Sequence, residues 1–278
     1  LSGWNVKRPN GLEHYTVWAL GYGLQALAEH LLAHPDDSRT AVIREVCGKL
    51  VGKMGLYQAL DGGWGYLSLD EVPTFQPSFT SMSFTSATLL VGLARARAAG
   101  IEVPDSMVTR GVESIARCET PEHAFTYGEL WRRMPGMGVN RVKGAACRGP
   151  SCYEAMALFS RAPRHDDASI AWRAALAALL EDHARFQVAG LRRPIPHESH
   201  YQISGYFYLY GHYYAGLLLQ RLPKADQERF ATKLERAVMV CRQPDGSFWD
   251  YPLYSYHSAY GTAFAVLTLA SLPTPRGQ

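Results

Sequence analysis

Apolar residues recur every three or four positions through one long segment after another, with clusters of Gly, Pro and Asp between the segments. That period predicts helices over 12–33, 37–57, 78–99, 105–118, 151–161, 167–187, 202–222, 224–242 and 257–272. The segments alternate in character. Odd-numbered ones are nearly uncharged, as in Tyr206 to Gly216 and Tyr260 to Ala270, whereas even-numbered ones carry a charged face, as in Arg39 to Lys53 and Lys224 to Arg236. A helix apolar all round is buried, and one with a single charged stripe shows that stripe to solvent. The chain is therefore expected to be all-α, with inner and outer helices in turn.

Short loops, such as Pro35 to Asp37 and Pro223 to Ala225, join an inner helix to the next outer one, which makes those pairs antiparallel hairpins. Residues 58–77, 119–150, 188–201 and 243–256 make the longer return from outer to inner. Every inner helix then begins at the same end, where the long loops also collect, and functional groups concentrate on such loops.

One phrase marks the return. Asp61-Gly62-Gly63-Trp64-Gly65-Tyr66 comes back as Asp245-Gly246-Ser247-Phe248-Trp249-Asp250-Tyr251, 184 residues later, and Glu122-His123-Ala124-Phe125-Thr126-Tyr127 is a worn copy between them. The spacing corresponds to repeats of about 61 residues. Its expected role is structural: Gly supplies the sharp turn, Asp accepts from backbone amides, and the aromatic packs beneath the neighbouring hairpin.

At 278 residues and 47% hydrophobic content the chain is read as one domain, 1–278, close to the size at which an ordinary core stops growing. Its formal charge of +3 is spread without runs, which argues against nucleic acid and anionic membranes as partners. Charged or polar residues interrupt every candidate helix, so no transmembrane segment is expected. The chain opens on Leu1, consistent with a removed upstream segment, and both a cytoplasmic and an exported location stay open. Of the five Cys, Cys147 and Cys152 invite chemistry: a disulfide in an oxidising compartment, or a ligand thiol.

The alternation of helices, together with Gln58 or Arg242 three residues before Asp-Gly-(Gly/Ser)-(Trp/Phe), resembles the α/α-toroid superfamily of squalene and hopene cyclases and protein prenyltransferase β subunits. The Asp61 phrase, with Ser83-Phe84-Thr85-Ser86-Ala87 opening an inner helix, is similar to bacterial prenyltransferase/squalene oxidase repeat proteins. The resemblance implies an α/α toroid (α/α barrel) of about five helical hairpins around a central cavity. Cyclases of this group start their reaction with an Asp-x-Asp-Asp acid, which this chain lacks. The near matches at Asp36-Asp37 and Asp166-Asp167 open outer helices, where Asp caps the helix or complements its dipole. The prenyltransferase subunits bind zinc through Asp, Cys and His. Ser151-Cys152-Tyr153 and Tyr256-His257-Ser258 are similar to the Cys and His contexts, but Pro150 stands where the Asp would be. The resemblance implies Cys152 and His257 as metal ligands; His200 is the candidate substitute third ligand, with His197, Glu154 or His14 as further candidates, and the alternative is that these residues pack and hydrogen-bond at helix starts.

The fourth inner segment is rich in aromatics: Tyr206, Phe207, Tyr208, Tyr210, His212, Tyr213 and Tyr214 follow His200 and Tyr201. A buried unpaired hydroxyl costs about 1–3 kcal/mol, so some tyrosines must reach a polar partner or a wet interior. Tyr206, Tyr210, Tyr213 and His212 are the candidate ligand-binding residues, against the alternative of a solid aromatic core. Tyr256, His200 and His257 are the candidate catalytic group. Arg148, with Arg141 and the Gly144 loop, is a candidate for holding a phosphate or carboxylate. Three functions follow: an isoprenoid transferase or cyclase, a non-catalytic toroid that binds an apolar ligand or a partner, and a polysaccharide-active toroid with Tyr and His as base and acid.

Overall fold

The computed structural model describes residues 16–65, 80–184, 207–250 and 257–273. Among them are ten α-helices and no strand beyond isolated bridges: α1 (Thr16–Ala33), α2 (Thr40–Leu56), α3 (Ser83–Ala98), α4 (Asp105–Cys118), α5 (Val142–Ala145), α6 (Gly149–Leu158), α7 (Ala168–Ala177), α8 (Tyr208–Leu219), α9 (Lys224–Met239) and α10 (His257–Ser271). The fold class is all-α, as the apolar period predicts. The predicted loop 119–150 is more structured than expected: it holds 3-10 turns at Leu130–Arg133 and Gly138–Asn140 as well as α5. No described helix is long and apolar enough to cross a membrane.

The chain divides into two compact units. The first comprises 1–118, 127–132 and 155–161; the second comprises 119–126, 133–154 and 162–278. In the first, α1 lies along α3, α2 packs on α1, and α4 packs on α3. From Ser83 to Leu93, α3 is buried at every position, while α4 buries one face through Met107, Val108, Val112 and Ile115. In the second unit α8 lies along α10, and α9 covers α8 with Phe230, Leu234 and Val238. These are the predicted inner and outer roles. The last inner helix departs from them: α10 contains no Asp, Glu, Lys or Arg, yet Val266 and Leu267 are about half exposed. The described residues that follow α10 supply no outer helix to cover that face.

Three outer-to-inner turns share one hydrogen-bond scheme. The Ala59 N–H donates to the Gly63 carbonyl and the Gly62 N–H to the Ala59 carbonyl; Thr120 with Ala124 and His123, and Gln243 with Ser247 and Gly246, repeat both bonds at 2.8–3.0 Å. The turn needs a left-handed residue, and Gly62 (φ 97°), His123 (φ 58°) and Gly246 (φ 89°) occupy it. His is among the residues that tolerate this region better than most non-glycines, which is how the worn copy keeps the turn. Asp61 accepts from the N–H groups of Gly63 (3.2 Å) and Ser81 (2.7 Å), and Asp245 from that of Ser247 (2.9 Å). Trp64 is fully buried, its indole N–H donating to the Met54 carbonyl at 2.8 Å and its ring lying against Gly111 of α4. Asp167 caps α7 by accepting from the Ser169 N–H. Asp37 instead accepts from the Arg39 N–H in the turn before α2.

The two turn glycines predict different costs. A Cβ on Gly62 would stand 2.6 Å from the Arg110 carbonyl oxygen, whereas one on Gly246 meets nothing within 4 Å. In denaturant unfolding, Gly62→Ala is expected to destabilise more than Gly246→Ala, whose cost is the left-handed backbone alone, about 1–2 kcal/mol. Trp64→Ala is expected to lose about 3–5 kcal/mol.

Candidate functional site

In the second unit, the N-terminal ends of α8 and α10 meet the segment Phe248–Asp250. The Phe248 N–H donates to Thr262 Oγ1 of α10 at 2.9 Å, and a Cβ on Gly261 would stand 2.7 Å from the Phe248 carbonyl oxygen. Only glycine permits that approach. The Asp250 carboxylate caps α8 by accepting from the Leu209 N–H at 3.0 Å through Oδ2. Its Oδ1 is buried with no hydrogen-bond partner, and the residue is 0% exposed. Burial therefore pushes the Asp250 carboxyl up to about 7, against the opposing pull of the Leu209 amide. Two buried thiols are close enough to feel it: Cys147, pushed up to about 12, and Cys241, also raised, both chiefly by burial. Gly211 lets α8 approach the Cys147 backbone, since a Cβ there would fall 2.8 Å from the Cys147 Cα.

An aromatic cluster continues from this point along α8 and α10. Tyr213 stacks on Phe264 at 5.4 Å between centroids, Tyr214 packs against both Tyr210 and Tyr213 at 4.8 Å, and Tyr210 meets Phe207 edge-on at 5.5 Å. Tyr260 closes the set against Phe264 at 5.8 Å, and its hydroxyl lies 2.7 Å from His257 Nδ1. Burial lowers His257 to about 4, so its imidazole is neutral at pH 7. His212 is likewise lowered to about 4 by burial; its Nδ1–H donates to the Tyr208 carbonyl at 2.8 Å and its ring stacks on Tyr208. The Tyr208 hydroxyl donates to the Ala237 carbonyl at 2.9 Å. That tyrosine thus satisfies its hydroxyl on backbone.

Three other buried charged side chains have protein partners. The Arg148 guanidinium, 7% exposed, donates to the carbonyls of Phe125 (3.1 and 3.2 Å), Gly144 (3.3 Å) and Val139. It fastens the 125–144 loop from within, and an anion would have to displace those carbonyls. Glu154 takes two bonds from Arg221 at 2.6 and 2.8 Å. Glu119 accepts from the Tyr153 hydroxyl at 2.9 Å and from the Arg164 N–H at 2.6 Å.

The structure thus brings Tyr210 and Tyr213 into one cluster with Phe264, and reaches His257 through Tyr260. His212 stands on the same helix against Tyr208. Cys152 is fully buried in α6, and neither it nor Cys147 is in a disulfide. His200, Tyr206 and Tyr256, with His14 and His197, lie outside the described residues. Among the described residues no group of three or more His, Cys, Asp or Glu side chains could hold a metal ion, so a zinc set with Cys152 and His257 would depend on His200. Asp250 was not anticipated. Its one sequence signal is an acidic residue between aromatics, Trp249 and Tyr251, in a phrase read as a turn.

No protein-family model and no curated protein matches the chain. Among solved structures it is similar to a variant of the type II terpene cyclase MstE from Scytonema in complex with its product merosterolic acid A, at 15% identity and a TM-score of 0.42, covering 98% of this chain and 91% of that one. The activity and the product are properties of that enzyme.

Asp250 predicts a pH dependence. Its folded pKa of about 7 lies above the ordinary 3.8, so its protonated form stabilises the fold fully below pH 4, and the effect is lost as pH rises towards 7. The upper bound is about 4 kcal/mol. His212, lowered from 6.5 to about 4, acts oppositely, costing stability as pH falls through that window. The difference between Asp250→Asn and the parent isolates the carboxyl: the variant is expected to gain relative stability between pH 4 and 7, measured by urea unfolding at each pH.

Proposed function

We propose that this chain is a single-domain α/α-toroid protein, squalene/hopene-cyclase-like or prenyltransferase-like, that binds or acts on an isoprenoid or other apolar small molecule in a central cavity. The observation that carries the reading is the aromatic cluster of Tyr210, Tyr213, Tyr260 and Phe264 on two neighbouring inner helices, ending at the buried His257 and the Asp250 segment. Aromatic faces suit extended hydrocarbon and stabilise cationic character, while hydroxyls at their edges orient a polar end. His200, Tyr206 and Tyr256 belong to the same proposed rim by their positions at inner-helix starts in the sequence.

The chemistry available from the described residues is proton transfer and hydrogen bonding. Asp250 keeps its proton to near neutral pH, and the neutral His257 imidazole, paired with the Tyr260 hydroxyl, can relay one. A second reading, a non-catalytic ligand-binding toroid, is favoured by the way Arg148, Glu154 and Glu119 are spent on internal partners. The same occupation of Arg148 weighs against uronate neutralisation, and with it the polysaccharide reading.

Native mass spectrometry of protein purified without detergent is expected to show a co-purified apolar adduct, and farnesol or squalene to bind saturably. Tyr213→Leu is expected to weaken that binding at least ~10-fold, equivalent to about 1.4 kcal/mol, with unchanged circular dichroism. Absence of both adduct and saturable binding would overturn the proposal. Turnover of the bound prenyl compound, lost in Asp250→Asn, separates the catalytic reading from the binding one.

A further inference from the structure

At the far end of α1 in the first unit, an open depression of about 580 Å³ is lined by His30, His34, Asp36, Asp37 and Arg39. His30 and His34 are one helical turn apart on the same face, with ring centroids 4.8 Å apart at 46°. His30 Nε2 is 2.9 Å from Asp37 Oδ2. Arg39 grips the same carboxylate with Nε at 3.0 Å and Nη2 at 2.7 Å, and its backbone N–H adds a bond at 2.8 Å.

We propose that His30 and His34 form an accessory binding site for a first-row transition-metal dication, with Asp37 as the positioning residue. Three features converge. Nε2 of His30 lies against the Asp37 carboxylate, the arrangement in which metal-binding histidines are oriented by a carboxylate behind them, and Nδ1 is the nitrogen left to face an ion. With metal–nitrogen bonds of about 2.1 Å, two imidazoles sharing one ion at a square or tetrahedral angle place their centroids about 4.5–5.2 Å apart, the spacing these rings already have. His30 also stands in the last turn of α1, with His34 one residue past its end, where the helix dipole favours a cation. Two imidazoles are the protein ligands and water completes the coordination. The donor set is nitrogen-rich, so affinity follows Cu²⁺ above Zn²⁺. The bound ion would tie α1 to the turn leading into α2.

The site is independent of the proposed ligand-binding function and is tested on the whole chain with Cu²⁺ and Zn²⁺ alone. Saturable binding is expected, tighter for Cu²⁺, with a copper electron paramagnetic resonance spectrum showing two nitrogen ligands. At about 100 times the Kd, the melting temperature is expected to rise by roughly 5 °C. His34 is exposed, so His34→Ala keeps the fold and is expected to weaken binding at least ~10-fold, while Asp37→Asn weakens it ~10-fold through His30 orientation. Binding unchanged in His30→Ala/His34→Ala, or a spectrum with one nitrogen ligand, would overturn the site.

Discussion

A helix stretch without charges favours burial on every side, a demand that α3 and α8 meet in full and α10 meets on one side only. From Ser83 to Leu93, α3 presents only buried positions, and α8 is buried from Tyr208 to Gly216. Each therefore needs cover on the side away from its inner neighbour, and α4 and α9 provide it with one apolar stripe each. Charged residues mark the outward faces of those covering helices, as with Arg229 and Lys233 of α9 on Glu181. Stability comes mainly from burial of apolar area, with the surface ion pairs adding little.

Wrapping buried helices in this way creates a second demand, that every polar group carried inside find a partner. The return turns answer it locally: a left-handed residue reverses the chain, an Asp accepts the amides it exposes, and the following aromatic fills the space under the next hairpin. Buried carboxylates further along are answered by Arg221 and Arg164, and buried tyrosine hydroxyls by the Ala237 carbonyl and Glu119. Against that background Asp250 stands apart. One oxygen holds the start of α8 and the other has no protein partner, and burial raises the pKa of this carboxyl to about 7.

Much of the fold was legible because helical period and charge distribution are local properties. The segments read at 105–118 and 257–272 coincide with α4 and α10 to within a residue, and the turns at Asp61, Glu122 and Asp245 were visible as recurring phrases. The site was less legible. Arg148 looked like an anion ligand because it follows a basic, glycine-bearing loop, but the loop folds back and supplies carbonyls to it. The tyrosines of α8 share one composition and divide in role: Tyr208 reaches the backbone of α9, while Tyr210 and Tyr213 lie on the α10 side with Phe264.

The sequence by itself determined that the chain is helical, that uncharged helices alternate with amphipathic ones, and where it turns, since each follows from residue order within a few turns of helix. Only the tertiary structure decided which polar groups are spent and which are left over. Partners of Arg148, Glu154 and Asp250 come from as far as 23, 67 and 41 positions away. No spacing rule spans such separations, because they are set by how helices pack rather than by how one helix winds.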